Sequence, residues 1–96
     1  MNRYELTVIL RNRELESLKG KVDGILKKHG VTVINDEPWG LKRLAYMIQG
    51  EKEGYYSFMI VESAPDAVKK VIGDFRLISE ILRYLFVKIE QEKTAS

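Results

Sequence analysis

Apolar and polar residues alternate with a period of two near both ends of the chain, as they do in a β-strand with one buried side. The first such segment is residues 4–10, whose even positions are all apolar or aromatic, whereas the odd positions include Glu5 and Thr7. The second is residues 82–89. Its alternate residues form two sets, Leu85, Val87 and Ile89 on one side and Tyr84, Phe86 and Lys88 on the other. Both segments are predicted to be strands.

Two other segments repeat apolar residues every three or four positions, which aligns these residues along one side of an α-helix. The first stripe consists of Leu15, Leu18, Val22, Ile25, Leu26 and His29. The second consists of Val68, Val71, Ile72 and Phe75. Gly30 is expected to end the first helix in the left-handed conformation. Ser63 is expected to cap the start of the second helix, with Asp66 three residues later.

The middle of the chain contains two further strand segments, rich in β-branched and aromatic residues. One comprises residues 31–34 and 41–48 and is interrupted around Pro38; the other is residues 55–62, after a polar loop at 49–54. Because proline has no N–H to donate, the interrupted strand is predicted to lie at a sheet edge. A bulge is expected near the proline.

The predicted element order is β-α-β-β-α-β, which is the split βαβ arrangement of the ferredoxin-like fold. We therefore predict an α+β fold in which two helices cover one face of a four-stranded, antiparallel-type sheet. Strands one and three are expected in the centre of the sheet and strand two at an edge. Residues 1–90 are predicted to form this single domain, and residues 91–96 a short polar C-terminal tail.

Two helices cover only one side of a four-stranded sheet, so the other side should be polar if nothing binds there. The sequence departs from this rule, because strand three is apolar on both sides and the first strand adds Ile9 to the uncovered side. Contiguous exposed apolar surface marks a contact site. The residues predicted to bind a partner are aromatic: Tyr56, Phe58, Tyr84 and Phe86. The alternative is that the loop around Trp39 or the C-terminal tail folds over this side.

Composition removes several classes of function. The 96 residues include no cysteine and a single histidine, His29, which excludes a disulfide framework, a thiolate metal site and a histidine triad. We expect no metal, no other cofactor and no small-molecule substrate. No apolar run approaches the roughly 18 residues that span a membrane, and the first residues do not resemble a signal peptide. A cytoplasmic location is therefore expected.

The net charge is +2, from 16 Lys and Arg against 14 Asp and Glu, which is too low for binding nucleic acid by charge alone. The positions of the cations are more informative than their number. Five cations near the predicted sheet are candidates for RNA contact: Arg3, Lys42, Arg43, Arg83 and Lys88. Cations beside aromatic rings suit phosphate contact combined with base stacking. The lysines of the first helix are interspersed with acidic residues and are interpreted as solvated surface charge.

Four short segments, spread over nearly the whole chain, resemble one family in their order and spacing. They are Arg3-Tyr4-Glu5, Gly40-Leu41-Lys42-Arg43-Leu44-Ala45-Tyr46, Gly54-Tyr55-Tyr56 and Leu82-Arg83-Tyr84-Leu85. In these residues the chain is similar to bacterial small-subunit ribosomal protein six. The resemblance implies a structural protein that binds the central domain of 16S ribosomal RNA together with small-subunit protein eighteen. It also places Arg3, Lys42, Arg43 and Arg83 on the RNA or partner side.

Three other classes of protein fit the sequence less well. An RNA-recognition motif needs a basic and a small residue where strand three has Glu53 and Tyr56. An acylphosphatase-type enzyme needs a glycine in a phosphate-binding loop after strand one, and residues 10–14 contain none. A small-molecule regulatory domain needs a defined apolar pocket, which the sequence does not indicate. The RNA-recognition motif remains the alternative, and no enzymatic activity is expected.

Overall fold

The computed structural model describes residues 1–89, and the tail predicted at residues 91–96 lies outside this range. Within residues 1–89 the elements follow the order predicted from the sequence. Their bounds are β1 Asn2–Leu10, α1 Leu15–Lys28, β2 Thr32–Ile48, β3 Glu51–Ser63, α2 Pro65–Phe75 and β4 Ile81–Lys88.

The four strands form one antiparallel sheet in the spatial order β2-β3-β1-β4. The strands β1 and β3 are therefore central, and β2 lies at an edge, where a strand containing Pro38 is tolerated. Both helices pack on the same side of this sheet. The ferredoxin-like fold predicted from the periodicity is confirmed, and the other side of the sheet is left without a helix.

The hydrophobic core lies between the helices and one side of the sheet. The even-numbered residues of β1 point into it, and Leu6 and Val8 have almost no exposed surface. The helices contribute residues of their predicted stripes, Leu18, Val22 and Leu26 from α1 and Val71 and Phe75 from α2, and α2 adds Ala67, which lies outside its predicted stripe. The hydrophobic period of each segment therefore determines which of its sides is buried.

Strand β2 is irregular where it pairs with β3. The register shifts between Pro38 and Gly40, which confirms the predicted bulge, and Gly40 has a φ of 84°, a conformation that favours glycine. A larger irregularity lies between Arg43 and Ile48, where residues 44–47 of β2 lie opposite Lys52 alone. This second irregularity bends the end of β2 away from regular pairing.

The turn between β2 and β3 consists of only Gln49 and Gly50, with φ values of 51° and 80°. Two successive residues with positive φ form the two-residue turn that suits the twist of a β-hairpin. The predicted polar loop at residues 49–54 is therefore too long, because residues 51–54 already belong to β3.

Helix α2 begins differently from the prediction. Ser63 is fully buried, and its hydroxyl donates a hydrogen bond to the carbonyl oxygen of Ala64 at 2.8 Å, so it does not cap the helix. Ala64 is the N-cap residue, and Pro65 takes the first helical position, where its missing N–H costs no intrahelical bond. Helix α1 ends as predicted, with Gly30 at a φ of 75°.

Candidate interaction surface on the open side of the sheet

The side of the sheet without helices is called the open face below. Its residues follow from the strand register, because directly paired residues of neighbouring strands point to the same side. Three rows cross it from β3 through β1 to β4: Tyr56, Ile9 and Arg83; Phe58, Thr7 and Leu85; Ile60, Glu5 and Val87. In these rows β3 and β4 contribute apolar or aromatic residues apart from Arg83, although no helix covers them, and β1 places Thr7 and Glu5 between them.

The aromatic residues of β4 lie on the opposite, helix-covered side. Tyr84 packs against Phe75 with ring centroids 5.6 Å apart, and Phe86 packs against Tyr4 at 6.1 Å. The prediction that Tyr84 and Phe86 lie on the open face is wrong. Residues 84–87 are apolar on both sides of the strand, so alternation alone does not show which pair faces the helices. The larger rings fill the core, and the aliphatic side chains point outwards.

Four side chains, Phe58, Ile60, Leu85 and Val87, are called the central patch. Leu85 is 59% exposed and Val87 is 44% exposed, while Phe58 and Ile60 are half-buried. Tyr56, which was predicted together with Phe58, also lies on the open face, next to the patch. An isolated exposed leucine is ordinary, but here two pairs of apolar side chains, on β3 and on β4, flank a single strand and form a surface suited to contact.

One end of the open face is covered by the chain itself. Residues 44–48 of β2, called the cover segment, fold over this end, and Leu44 packs on Ile9 so that both are buried. Tyr46 reaches across to Arg83, whose guanidinium donates a hydrogen bond to the Tyr46 hydroxyl. The guanidinium also lies 5.2 Å from the centre of the Tyr46 ring, within the range of a cation–π contact.

Gly54 makes the close packing at this end possible. It is buried in β3, and a Cβ atom built on it would lie 2.5 Å from Cγ2 of Ile9 and 3.5 Å from Cδ2 of Leu44. The first distance is shorter than two carbon atoms tolerate. Only glycine therefore allows β1 and the cover segment to approach β3 so closely.

Trp39 covers part of the central patch. Its ring lies flat on the ring of Phe58, with centroids 5.3 Å apart and 9° between the planes. Trp39 itself remains 47% exposed. The expected alternative, in which the chain around Trp39 folds over the open face, therefore holds for Phe58. It does not hold for Leu85 and Val87, which stay exposed.

Three of the five predicted cations lie on the open face. Arg3 pairs with Glu62 in the strand register, and their side chains form an ion pair with 3.1 Å between Nε and Oε2. Lys42 is the register partner of Gly54 and is exposed. Arg83 holds Tyr46 of the cover segment. These cations flank the apolar middle of the face.

The other two predicted cations lie on the opposite side of the sheet. Arg43 follows Lys42 along β2 and pairs with Glu53, and Lys88 pairs with the core residue Tyr4. Successive residues of a strand point to opposite sides. Arg43 and Lys88 therefore do not lie on the open face with the other three candidates.

A cluster of titratable groups joins the two helices on the covered side. The Asp74 carboxylate accepts a hydrogen bond from His29 Nε2 at 2.8 Å and one from Lys28 Nζ at 3.4 Å. The hydrogen bond from His29, followed by that from Lys28, holds the pKa of Asp74 below its ordinary value of 3.8. This cluster fixes the ends of the helices and takes no part in the open face.

The described part of the chain contains no helix long and apolar enough to cross a membrane. Across residues 1–89, no group of three or more His, Cys, Asp or Glu side chains is placed to hold a metal ion. The fold and the open face define the class of protein. It is a small ferredoxin-like α+β domain that presents an apolar, cation-flanked sheet surface.

Comparison with known proteins identifies the family. The model of the family described as Ribosomal protein S6 matches residues 3–88. Small ribosomal subunit protein bS6 of Porphyromonas gingivalis is 34% identical over 100 residues, which cover 100% of this chain and 84% of that protein. The bS6 protein of Alkaliphilus oremlandii is 34% identical over 95 residues, which cover 95% of this chain and 100% of that protein. The chain belongs to the ribosomal protein S6 family.

Solved structures support the fold independently. The crystal structure of 30S ribosomal protein S6 from Thermotoga maritima matches with a TM-score of 0.84 at 22% identity, covering 92% of this chain and 87% of that one. The C-terminal domain of the MgtC protein from Mycobacterium tuberculosis matches with a TM-score of 0.63 at 10% identity, covering 98% and 94%. Because proteins with different names share this fold, the fold alone does not define the function.

Family membership makes the chain a component of the small ribosomal subunit, and therefore a protein of translation. This confirms the family predicted from the resemblance and the expected cytoplasmic location on the ribosome. The family is one of structural ribosomal proteins and not of enzymes.

Proposed function

We propose that this chain is a scaffold without a chemical step, which binds 16S ribosomal RNA together with small-subunit protein eighteen through its open face. The observation that carries the proposal is the exposure of Leu85 and Val87 on a sheet surface flanked by Arg3, Lys42 and Arg83. A surface of this composition suits a protein contact and a phosphate contact side by side.

The central patch is the part of the open face that suits the protein partner. Binding energy at protein interfaces is concentrated in a few side chains that become fully desolvated. Leu85 and Val87 on β4 are separated from Phe58 and Ile60 on β3 by one strand, β1, so a partner that covers the two exposed residues also reaches the half-buried pair across Thr7 and Glu5. The docking residues we propose are therefore Leu85 and Val87, since the ring of Phe58 is covered by Trp39.

The three cations of the open face suit RNA because each can contact a phosphate at a small cost in free energy. The side chains of Arg3 and Glu62 are 47% and 36% exposed, and ion pairs this open contribute only about 0–1 kcal/mol. Arg3 can therefore give up its ion pair with Glu62 and bind an RNA phosphate at little cost in free energy. Arg83 gives one of its five N–H donors to Tyr46, so further donors are free for a phosphate oxygen. Lys42 makes no ion pair within residues 1–89.

The low net charge of +2 limits what the chain binds alone. We expect weak binding to the central-domain fragment of 16S ribosomal RNA by the isolated chain, and much tighter binding when small-subunit protein eighteen is present. A gel-shift titration with and without that partner measures the difference. Equal affinities in the two titrations would contradict coupled binding, and binding in neither would contradict the RNA contact.

A further inference from the structure

Trp39 owes its position to a local backbone irregularity. Pro38 pairs with Ser57, and Gly40 pairs with the next residue of β3 only after a register shift, so Trp39 is the inserted residue of a bulge. Bulges redirect a side chain that regular pairing would place elsewhere. Here the bulge, together with the positive φ of Gly40, lays the Trp39 ring flat on Phe58.

The stacked pair leaves one flat aromatic surface unused. The inner side of the Trp39 ring is against Phe58, at an angle of 9°. The residue is nevertheless 47% exposed, which agrees with a ring that is covered on one side and open to solvent on the other. A flat indole surface fixed in orientation by a ring beneath it is already arranged for a third ring to stack on top.

A cation lies on the same strand as Trp39 and on the same side of the sheet. Lys42 is three residues after Trp39 on β2, which corresponds to about 10 Å at the rise of a strand. It is exposed, and its register partner Gly54 places it on the open face as well. On the other side of the ring, Glu37 pairs with Phe58 and repels a phosphate. The backbone of a stacked nucleotide is therefore directed towards Lys42.

The surroundings favour a nucleobase over a protein side chain. Trp39 is on the edge strand β2, whereas the exposed aliphatic residues Leu85 and Val87 are on β4, about 14 Å away across three strand spacings. We propose that Trp39 is a stacking platform for an unpaired base of RNA and that Lys42 contacts its phosphate. This assignment rests on the proposed RNA-binding function and names a residue that the sequence patterns did not place in it.

The test uses the fluorescence of Trp39, the single tryptophan of the chain. The full chain is titrated at low salt with a short oligoadenylate RNA and, separately, with inorganic polyphosphate, which carries charge but no bases. Oligoadenylate is expected to quench the emission of Trp39 by stacking on its ring. Polyphosphate is expected to leave the emission nearly unchanged, even where it competes for the cations.

Three variants distinguish base stacking from non-specific binding. Their affinity is measured by the fluorescence anisotropy of labelled oligoadenylate. Trp39→Phe keeps a flat ring and should keep most of the affinity. Trp39→Leu keeps an apolar side chain without a ring face and should weaken binding by roughly 5- to 100-fold. Leu77→Ala is the control, because Leu77 is 84% exposed and lies outside the sheet, in the turn after α2. It should bind as the unmodified chain does.

The assignment is overturned if oligoadenylate does not bind at low salt, if it binds without quenching, or if Trp39→Leu and Trp39→Phe bind equally well. It is also overturned if small-subunit protein eighteen alone shifts the emission and RNA does not, since Trp39 would then contact protein. Cosedimentation with small ribosomal subunits reports on the proposed function separately. A Trp39→Leu chain that still cosediments while oligoadenylate affinity is unchanged rejects only the stacking site.

Discussion

Leu6 and Leu85 lie on the two sides of the same sheet, on the adjacent strands β1 and β4. Leu6 is fully buried beneath the helices, whereas Leu85 is 59% exposed on the open face. The same side chain thus serves two purposes. On the covered side, apolar residues stabilise the fold, and on the open face they remain available to a partner. Stability and binding should therefore be separable by substitutions on opposite sides of one sheet.

The largest expected effect is on the stability of the covered side. Leu6→Ala should lower the free energy of unfolding by about 2–5 kcal/mol, because it removes buried contacts and leaves a cavity. Leu85→Ala, the matched change on the open face, should alter it by less than about 0.5 kcal/mol. Urea denaturation of the two variants measures both values. Similar losses in the two would mean that the open face is part of the core.

The next largest effect tests the covered end of the open face. Gly54→Ala should cost roughly 1–3 kcal/mol, since the new methyl group meets Cγ2 of Ile9 at 2.5 Å. Gly20→Ala is the control, because Gly20 lies in α1 with nothing within 4 Å of the added Cβ. That change should stabilise the protein by about 0.5–1 kcal/mol. A neutral Gly54→Ala would contradict the close packing of β1, β3 and the cover segment.

A smaller effect compares neighbouring cations on opposite sides of β2. Lys42→Ala should weaken binding to the 16S fragment by a few-fold and reduce the slope of log affinity against log salt by about 0.7–0.9. Arg43→Ala, one position along the strand, should change both values less. Gel-shift titrations at several salt concentrations provide the slopes, and thermal melts should be unchanged for both variants. A larger effect of Arg43→Ala would assign RNA to the other side.

The smallest effect concerns pH. A carboxyl group whose pKa falls on folding stabilises the folded state above its unfolded-state pKa and loses this contribution as the pH decreases. Asp74 is such a group because of its hydrogen bond from His29. Asp74→Asn should therefore lower the urea midpoint slightly near neutral pH, and the difference should shrink below about pH 4. A difference that grows in acid would contradict the lowered pKa.

The periodicity of the sequence, together with Pro38, was sufficient to predict the element order, the sheet layout and the edge position of β2. These features depend on long repeated patterns and on the missing N–H of proline, which are local properties. The turn at Gln49 and Gly50 was placed in a longer loop because residues 51–54 are polar. Polarity did not prevent them from pairing with the edge strand.

The binding surface was harder to predict than the fold. An apolar open face was correctly expected, but Tyr84 and Phe86 were assigned to it in place of Leu85 and Val87. When a strand is apolar on both sides, its sequence does not show which side is buried. The contacts of Tyr84 with Phe75 and of Phe86 with Tyr4 show it. The cover segment also depends on contacts distant in sequence, since Tyr46 meets Arg83 37 residues later.

The most direct test of the open face uses the double variant Leu85→Asp, Val87→Asp in a cosedimentation assay with small ribosomal subunits at moderate salt. Both residues are exposed, so the variant should remain folded, with a small decrease in melting temperature because position 87 pairs with Glu5. We predict that the unmodified chain cosediments with the subunits and that the folded double variant does not. Equal cosedimentation of the two chains would contradict the proposal that this side of the sheet attaches the protein to the ribosome.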